Sequence, residues 1–107
     1  MNVKLQVHKD TDWENLNNAG TIRGRILNGN VTIVFDRFVV SGKTGNNINF
    51  IQLPNKYIPK CDIPFFMFPN GIAPLPCNAR VISSGVITCY IRTDGGQYNG
   101  TVSYPIY

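Results

Sequence analysis

Charge is scarce in this sequence of 107 residues: Asp, Glu, Lys and Arg together make up 15%, against the usual quarter. A disordered tail and a surface-charged helical bundle both need more. The ten basic residues, which leave a formal charge of +4, stand singly from Lys4 to Arg92. Only Arg23 and Arg25 share a strand face, and no basic run is interleaved with aromatics. A nucleic-acid groove is therefore not expected, although a mild pull toward anionic polymers remains. No apolar run approaches the length of a membrane span and no signal peptide is recognisable, so a soluble chain without membrane insertion is expected. Cysteines number three, an odd count with no CxxC or Cys/His spacing. A zinc site would need a fourth ligand, and the one histidine, His8, lies far away in sequence. Buried, reduced thiols at Cys61, Cys77 and Cys89, made in a reducing cytoplasm, are the expectation, with no metal and no other cofactor.

Catalytic groups are as sparse. One histidine and one glutamate leave few candidates for general acid–base work or a glycosidase pair. Ser41-Gly42-Lys43-Thr44 is like the end of a phosphate-binding loop, but the leading glycine is missing and the segment joins two strands instead of a strand and a helix. A Cys–His nucleophile pair has nothing to orient it. The chain is expected not to be an enzyme.

What the sequence does hold is strand-forming material. Apolar residues reach 43%, with six Phe and five Tyr, and the polar complement is mostly Asn, Thr, Ser and Gly. The stretch from Arg25 to Pro59 organises the rest. Asn28-Gly29 is a hairpin signal, since both central positions of a type I′ turn need positive φ. Val31, Ile33 and Phe35 then alternate with Thr32, Val34 and Asp36, the period of a strand with one buried face. Further strands are predicted over Met1–Val7, Thr21–Leu27, Val31–Val40, Ile48–Leu53, Asn78–Ile82, Val86–Ile91 and Gly100–Tyr107, with Asp10–Asn18 as a loop. Prolines 54, 59, 64, 69, 74 and 76 predict short edge strands, including the apolar run Phe65-Phe66-Met67-Phe68. Together these give a single all-β domain over residues 1–107, an antiparallel, jelly-roll-like β-sandwich of about eight short strands with little or no helix.

Binding suits this composition. A flat ring with polar groups at its rim stacks on and hydrogen-bonds to sugars, and the residues of that type on or near loops are Trp13, Tyr90, Arg92, Asp94, Gln97, Tyr98 and Asn99. Most of them crowd around the Gly95-Gly96 loop. Trp13 has an even claim to be a cap on the core, and Asp94-Gly95 to be turn chemistry. Phe65, Phe66, Phe68, Ile72 and Leu75, in proline-punctuated segments, are more apolar surface than a thin sandwich hides, and mark a subunit interface.

The order of several motifs resembles the carboxy-terminal domains of bacteriophage tail fibres. They are Trp13-x-x-Leu16, an Ile-Arg-x-Arg entry strand, the Asn-Gly turn with its Val-Thr-Ile strand, Leu53-Pro54-Asn55-Lys56-Tyr57-Ile58-Pro59, a late Ser84-Gly85-Val86-Ile87 and the closing Val102-Ser103-Tyr104-Pro105-Ile106. The resemblance implies a receptor-binding head at the tail tip of a virion, assembled in the host cytoplasm. It implies a homotrimer joined to the remainder of the fibre or baseplate, with host cell-wall polysaccharide or teichoic acid as its partner. The 107 residues would then be the C-terminal fragment of a longer fibre protein. It carries over no fixed set of binding residues. A structural module that trimerises or caps a fibre is the alternative, and a wall-polysaccharide-degrading enzyme a more distant one.

Overall fold

A computed structural model describes residues 10–40, 44–70, 76–91 and 96–106. Among them are eight strands: β1 (Glu14–Asn15), β2 (Ile22–Leu27), β3 (Asn30–Val39), β4 (Gly45–Gln52), β5 (Ile63–Pro69), β6 (Cys77–Val81), β7 (Val86–Ile91) and β8 (Gln97–Pro105). Every pairing is antiparallel. One continuous sheet runs β1-β2-β3-β8-β5-β6-β7-β4. The two layers of the expected sandwich arise because this sheet curls on itself as a half-barrel. Phe35 on β3 meets Phe50 on β4, five places further along the sheet, with ring centroids 5.8 Å apart.

Local chemistry accounts for the main turns. Asn28 and Gly29 hold φ of 52° and 76°, and β2 and β3 pair in register from Leu27↔Asn30 to Ile22↔Phe35, as the type I′ turn requires. On the inner face Ile22, Ile26, Val31, Ile33 and Phe35 are buried, and β8 continues that face with Tyr98, Val102 and Tyr104. Gly100 lies between them because β8 passes close to β5: a Cβ there would stand 2.5 Å from the Met67 sulfur and 3.1 Å from the Phe66 carbonyl oxygen. Around Ser83-Ser84-Gly85, β6 and β7, two of the expected strands, form a second hairpin.

The phrase from Leu53 to Pro59 crosses from one edge of the sheet to the other. A single 3₁₀ turn, Asn55–Tyr57, drops the Tyr57 ring into the core. Its hydroxyl donates to Glu14 Oε1 on edge strand β1, Lys56 Nζ donates to the same oxygen at 2.6 Å, and Tyr104 Oη donates to the Tyr57 carbonyl at 2.6 Å. These bonds clasp the open side of the half-barrel.

Several expectations change. The Asp10–Asn18 loop contains the two-residue strand β1. Strand β4 begins at Gly45, inside the expected loop, and two register irregularities against β7 let it start there. Strand β5 is central, between β8 and β6, although it carries Pro64 and Pro69. Pro64 precedes the part of β5 that pairs with β8, and Pro69 follows the part that pairs with β6, so each proline sits where only one neighbour is present. Cys61 is exposed, whereas Cys77 and Cys89 are buried as expected. The expected Met1–Val7 strand and His8 lie outside the described residues.

Candidate binding face on strands β5 and β8

The alternation that fills the core also decides what faces outward. On β5, Phe65 and Met67 point inward while Phe66 and Phe68 remain 53% and 45% exposed. On β8, Asn99, Thr101 and Ser103 take the outer positions between Tyr98, Val102 and Tyr104. Phe68 stands directly opposite Asn99. Together Phe66, Phe68, Asn99 and Thr101 rim a shallow depression of about 600 Å³ floored by Phe35, Phe65 and Gly100.

A β-bulge fixes the polar side of this depression. Between Phe35↔Gly100 and Phe38↔Tyr98, β3 holds one residue more than β8. The extra residue leaves Arg37 in the left-handed region at φ 53°, a conformation that a non-glycine residue keeps only with support. Asn99 gives that support: its Oδ1 accepts the Arg37 backbone N–H at 2.8 Å. The Asn99 amide then donates to Asn70 Oδ1, and Asn70 Nδ2 donates to Gln97 Oε1 at 2.9 Å. Asn70 is held a second time through its backbone N–H to the Gln97 carbonyl, 2.8 Å. The result is a chain of three amides in fixed orientation at the edge of two exposed rings. Each amide retains unused donor or acceptor capacity, and none needs to be ordered when a ligand arrives. Beside the bulge, Asp36 faces Arg23 at 3.5 Å and Arg37 at 3.4 Å, exposed ion pairs that contribute little stability.

Two separate lists of candidates from the sequence thus meet on one face: Gln97 and Asn99 from the sugar-binding list, Phe66 and Phe68 from the interface list. Others fall elsewhere. The Tyr98 ring is 1% exposed within the core, which corrects its placement among sugar-stacking residues; two-residue periodicity back from Tyr104 and Val102 through Gly100 would have placed it inward. Phe65 is likewise a core residue, stacked on Phe35 at 6.0 Å, which corrects its placement at an interface. Trp13 stands next to β1, at the opposite end of the sheet from Tyr90 on β7, and one face of its ring is covered by the Arg25 guanidinium at 4.6 Å. Tyr90 is half-buried. Arg92, Asp94, Ile72 and Leu75 lie outside the described residues. Arg37, Asn70 and Thr101 were not expected at the site. Asn70, at the polar end of a proline-bounded aromatic run, was the one with a legible signal.

A second depression, of about 510 Å³, opens beside the clasp and is lined by Asp10, Thr11, Ile26, Asn55, Lys56, Ile58 and Ile106. Its polar groups are largely committed: Thr11 Oγ1 accepts the Ile26 N–H, Asp10 accepts the Asn28 N–H, and Lys56 is tied to Glu14. Among the described residues no cluster of His, Cys, Asp and Glu can hold a metal ion, and no helix is long and apolar enough to cross a membrane.

Comparison with known proteins agrees with the architecture. No protein-family model and no curated protein matches the sequence. Among solved structures, the chain has the fold of the head domain of phage bIL170, described with the receptor-binding domains of lactococcal phages. The TM-score is 0.65 at 17% sequence identity, over 90% of this chain and 98% of that one.

Proposed function

We propose that this chain is the receptor-binding head of a phage tail fibre, attaching the virion to saccharide on the host surface as a homotrimer and without enzymatic activity. The observation that carries the reading is the shared fold with a phage head domain along nearly the whole length of both chains. The face on β5 and β8 supports it physically. Exposed Phe66 and Phe68 form an apolar strip of the kind that closed symmetry buries, and the amide chain from Asn99 to Gln97 lies at its border. The aromatic pair serves as the seam between copies, and the amides beside it read cell-wall polysaccharide or teichoic acid. Residence at the virion tail tip, joined to the remainder of the fibre, follows from the same reading.

Weak sites suffice for this role. A single sugar site with Kd near about 1 mM corresponds to roughly −4 kcal/mol, and linking several copies raises avidity by about 10²–10⁴ without any new contact. The test is sedimentation of the full chain, followed by pull-down on host cells and purified wall polysaccharide. A trimer that binds both and releases no soluble product is expected. A monomer at micromolar concentration would sink the trimer, and a trimer indifferent to cells and polysaccharide would leave a structural fibre module.

A further inference from the structure

The outer face continues past Phe66. A depression of about 470 Å³ lined by Pro64, Phe66, Asn78 and Arg80 leads from the aromatic strip to one of about 320 Å³ over β4, β6 and β7, where Asn47, Asp62, Asn78, Arg80 and Thr88 share the lining with Ala79, Ile82 and Cys89. Thr88 is the anomaly there. It stands opposite Arg80 on one side and Asn49 on the other, is 5% exposed, and its hydroxyl has no hydrogen-bond partner. A buried hydroxyl left unpaired costs stability, and a ligand hydroxyl reaching it would relieve that cost. Arg80 is exposed, and its side chain makes no hydrogen bond or ion pair among the described residues, so its donors are available to a ligand. Asp62 keeps one oxygen on the Ser83 backbone N–H at 2.8 Å and has the other available.

We propose that this depression is a second ligand site, taking the vicinal hydroxyls of one neutral sugar ring. Arg80, Asn47 and Asn78 donate, Asp62 accepts, and Thr88 does either. The charges of Arg80 and Asp62 balance, which favours a polyol over a free anion, and the volume is at the small end of ligand pockets. Strand β7 lies three strands from β8, roughly 14 Å at about 4.8 Å per strand, with the Phe66–Phe68 strip on β5 between them, so this pocket is separate from the amide chain. The choice of sugar rests on the receptor-binding reading, whereas the pocket rests on Thr88 and Arg80.

The test titrates the full chain with glucose, N-acetylglucosamine and inorganic phosphate, following the side-chain amide signals of Asn47 and Asn78 by NMR. Saturable shifts with at least one sugar are expected at Kd on the order of 1–10 mM. Arg80→Ala should weaken binding by about tenfold. Thr88→Val should weaken it while leaving Tm unchanged or raised, because the unpaired hydroxyl is gone. No saturable shift with either sugar, or phosphate binding in preference to both, would overturn the proposal. A Thr88→Val variant with lowered Tm and an unchanged titration would overturn it too, making the hydroxyl structural. Failure of the chain to bind host cells while glucose still titrates this pocket would count against the receptor reading instead.

Discussion

The two sides of the half-barrel both set polar side chains beside aromatic rings, to opposite ends. Around the clasp, Tyr57, Tyr104, Glu14 and Lys56 satisfy one another, and the rings are buried. On the β5–β8 face, Phe66 and Phe68 are exposed and the amides of Asn70, Gln97 and Asn99 keep spare hydrogen-bonding capacity. The two tyrosines commit their hydroxyls and bury their rings, which holds the fold together and leaves little to offer a ligand, while the Lys56–Glu14 pair is as exposed as the pairs beside the bulge and adds little. A face whose side chains are fixed but not saturated can change partners without cost to the core. The proposed function accordingly rests on the second side, and stability on the first.

Tyr57→Ala should break this contrast most severely. It empties a fully buried ring site and removes the hydroxyl's bonds to Glu14 and to the Gly24 carbonyl, so a loss of about 3–5 kcal/mol is expected in urea unfolding. A loss under about 1 kcal/mol, the range of ordinary surface changes, would mean that the clasp does not hold the fold. Replacing Phe66 and Phe68 together by Ser should have the reverse profile. Stability of the single chain should change by no more than about 1 kcal/mol, while the sedimenting species falls from three chains to one of 11.9 kDa.

Alkaline pH probes the clasp alone. Burial first, and then the bond to Glu14, push the Tyr57 hydroxyl up to about 12, above the value of about 10 in an unfolded chain. The native state thus holds this proton more tightly, so the contribution is complete below about pH 10 and declines as pH rises through the folded value. Burial pushes the Tyr104 hydroxyl up as well, so Tyr57→Phe should make that limb of the stability curve shallower without removing it. At the acid end, bonds from Lys56 and then Tyr57 hold Glu14 below its ordinary value; its contribution is present above that ordinary value and fades as pH falls through the lowered one. The smallest change is expected from Asn99→Ala. Losing the cap on Arg37 should cost about 1 kcal/mol of stability, with saccharide binding weakened several-fold and the trimer intact.

How far these two sides could be read from the sequence differs for a physical reason. The Asn28-Gly29 hairpin, the alternation through Val31, Ile33 and Phe35, and the inward face of β7 are local patterns, and all hold in the structure. The clasp joins Glu14 to Tyr57 across 43 positions, and no periodicity reports a side-chain pair at that range. The central place of β5 was hidden because prolines normally exclude such a strand; staggered pairing on its two sides removed the conflict. On the proposed binding face, Gln97 and Asn99 had been singled out by residue chemistry as sugar-binding and Phe66 and Phe68 as interface residues. The bulge at Arg37 shows only as a slip of phase, from Val31, Ile33 and Phe35 to Phe38 and Val40, and that slip does not report the bond from Arg37 to Asn99.

The side-chain amide region of the NMR spectrum tests the division of labour directly, because asparagines lie on both sides. With host wall polysaccharide added to the full chain, the signals of Asn70, Gln97 and Asn99 should shift, and those of Asn15, Asn17 and Asn55 beside the clasp should stay in place. Polysaccharide that binds while moving only Asn15, Asn17 or Asn55 would contradict the account.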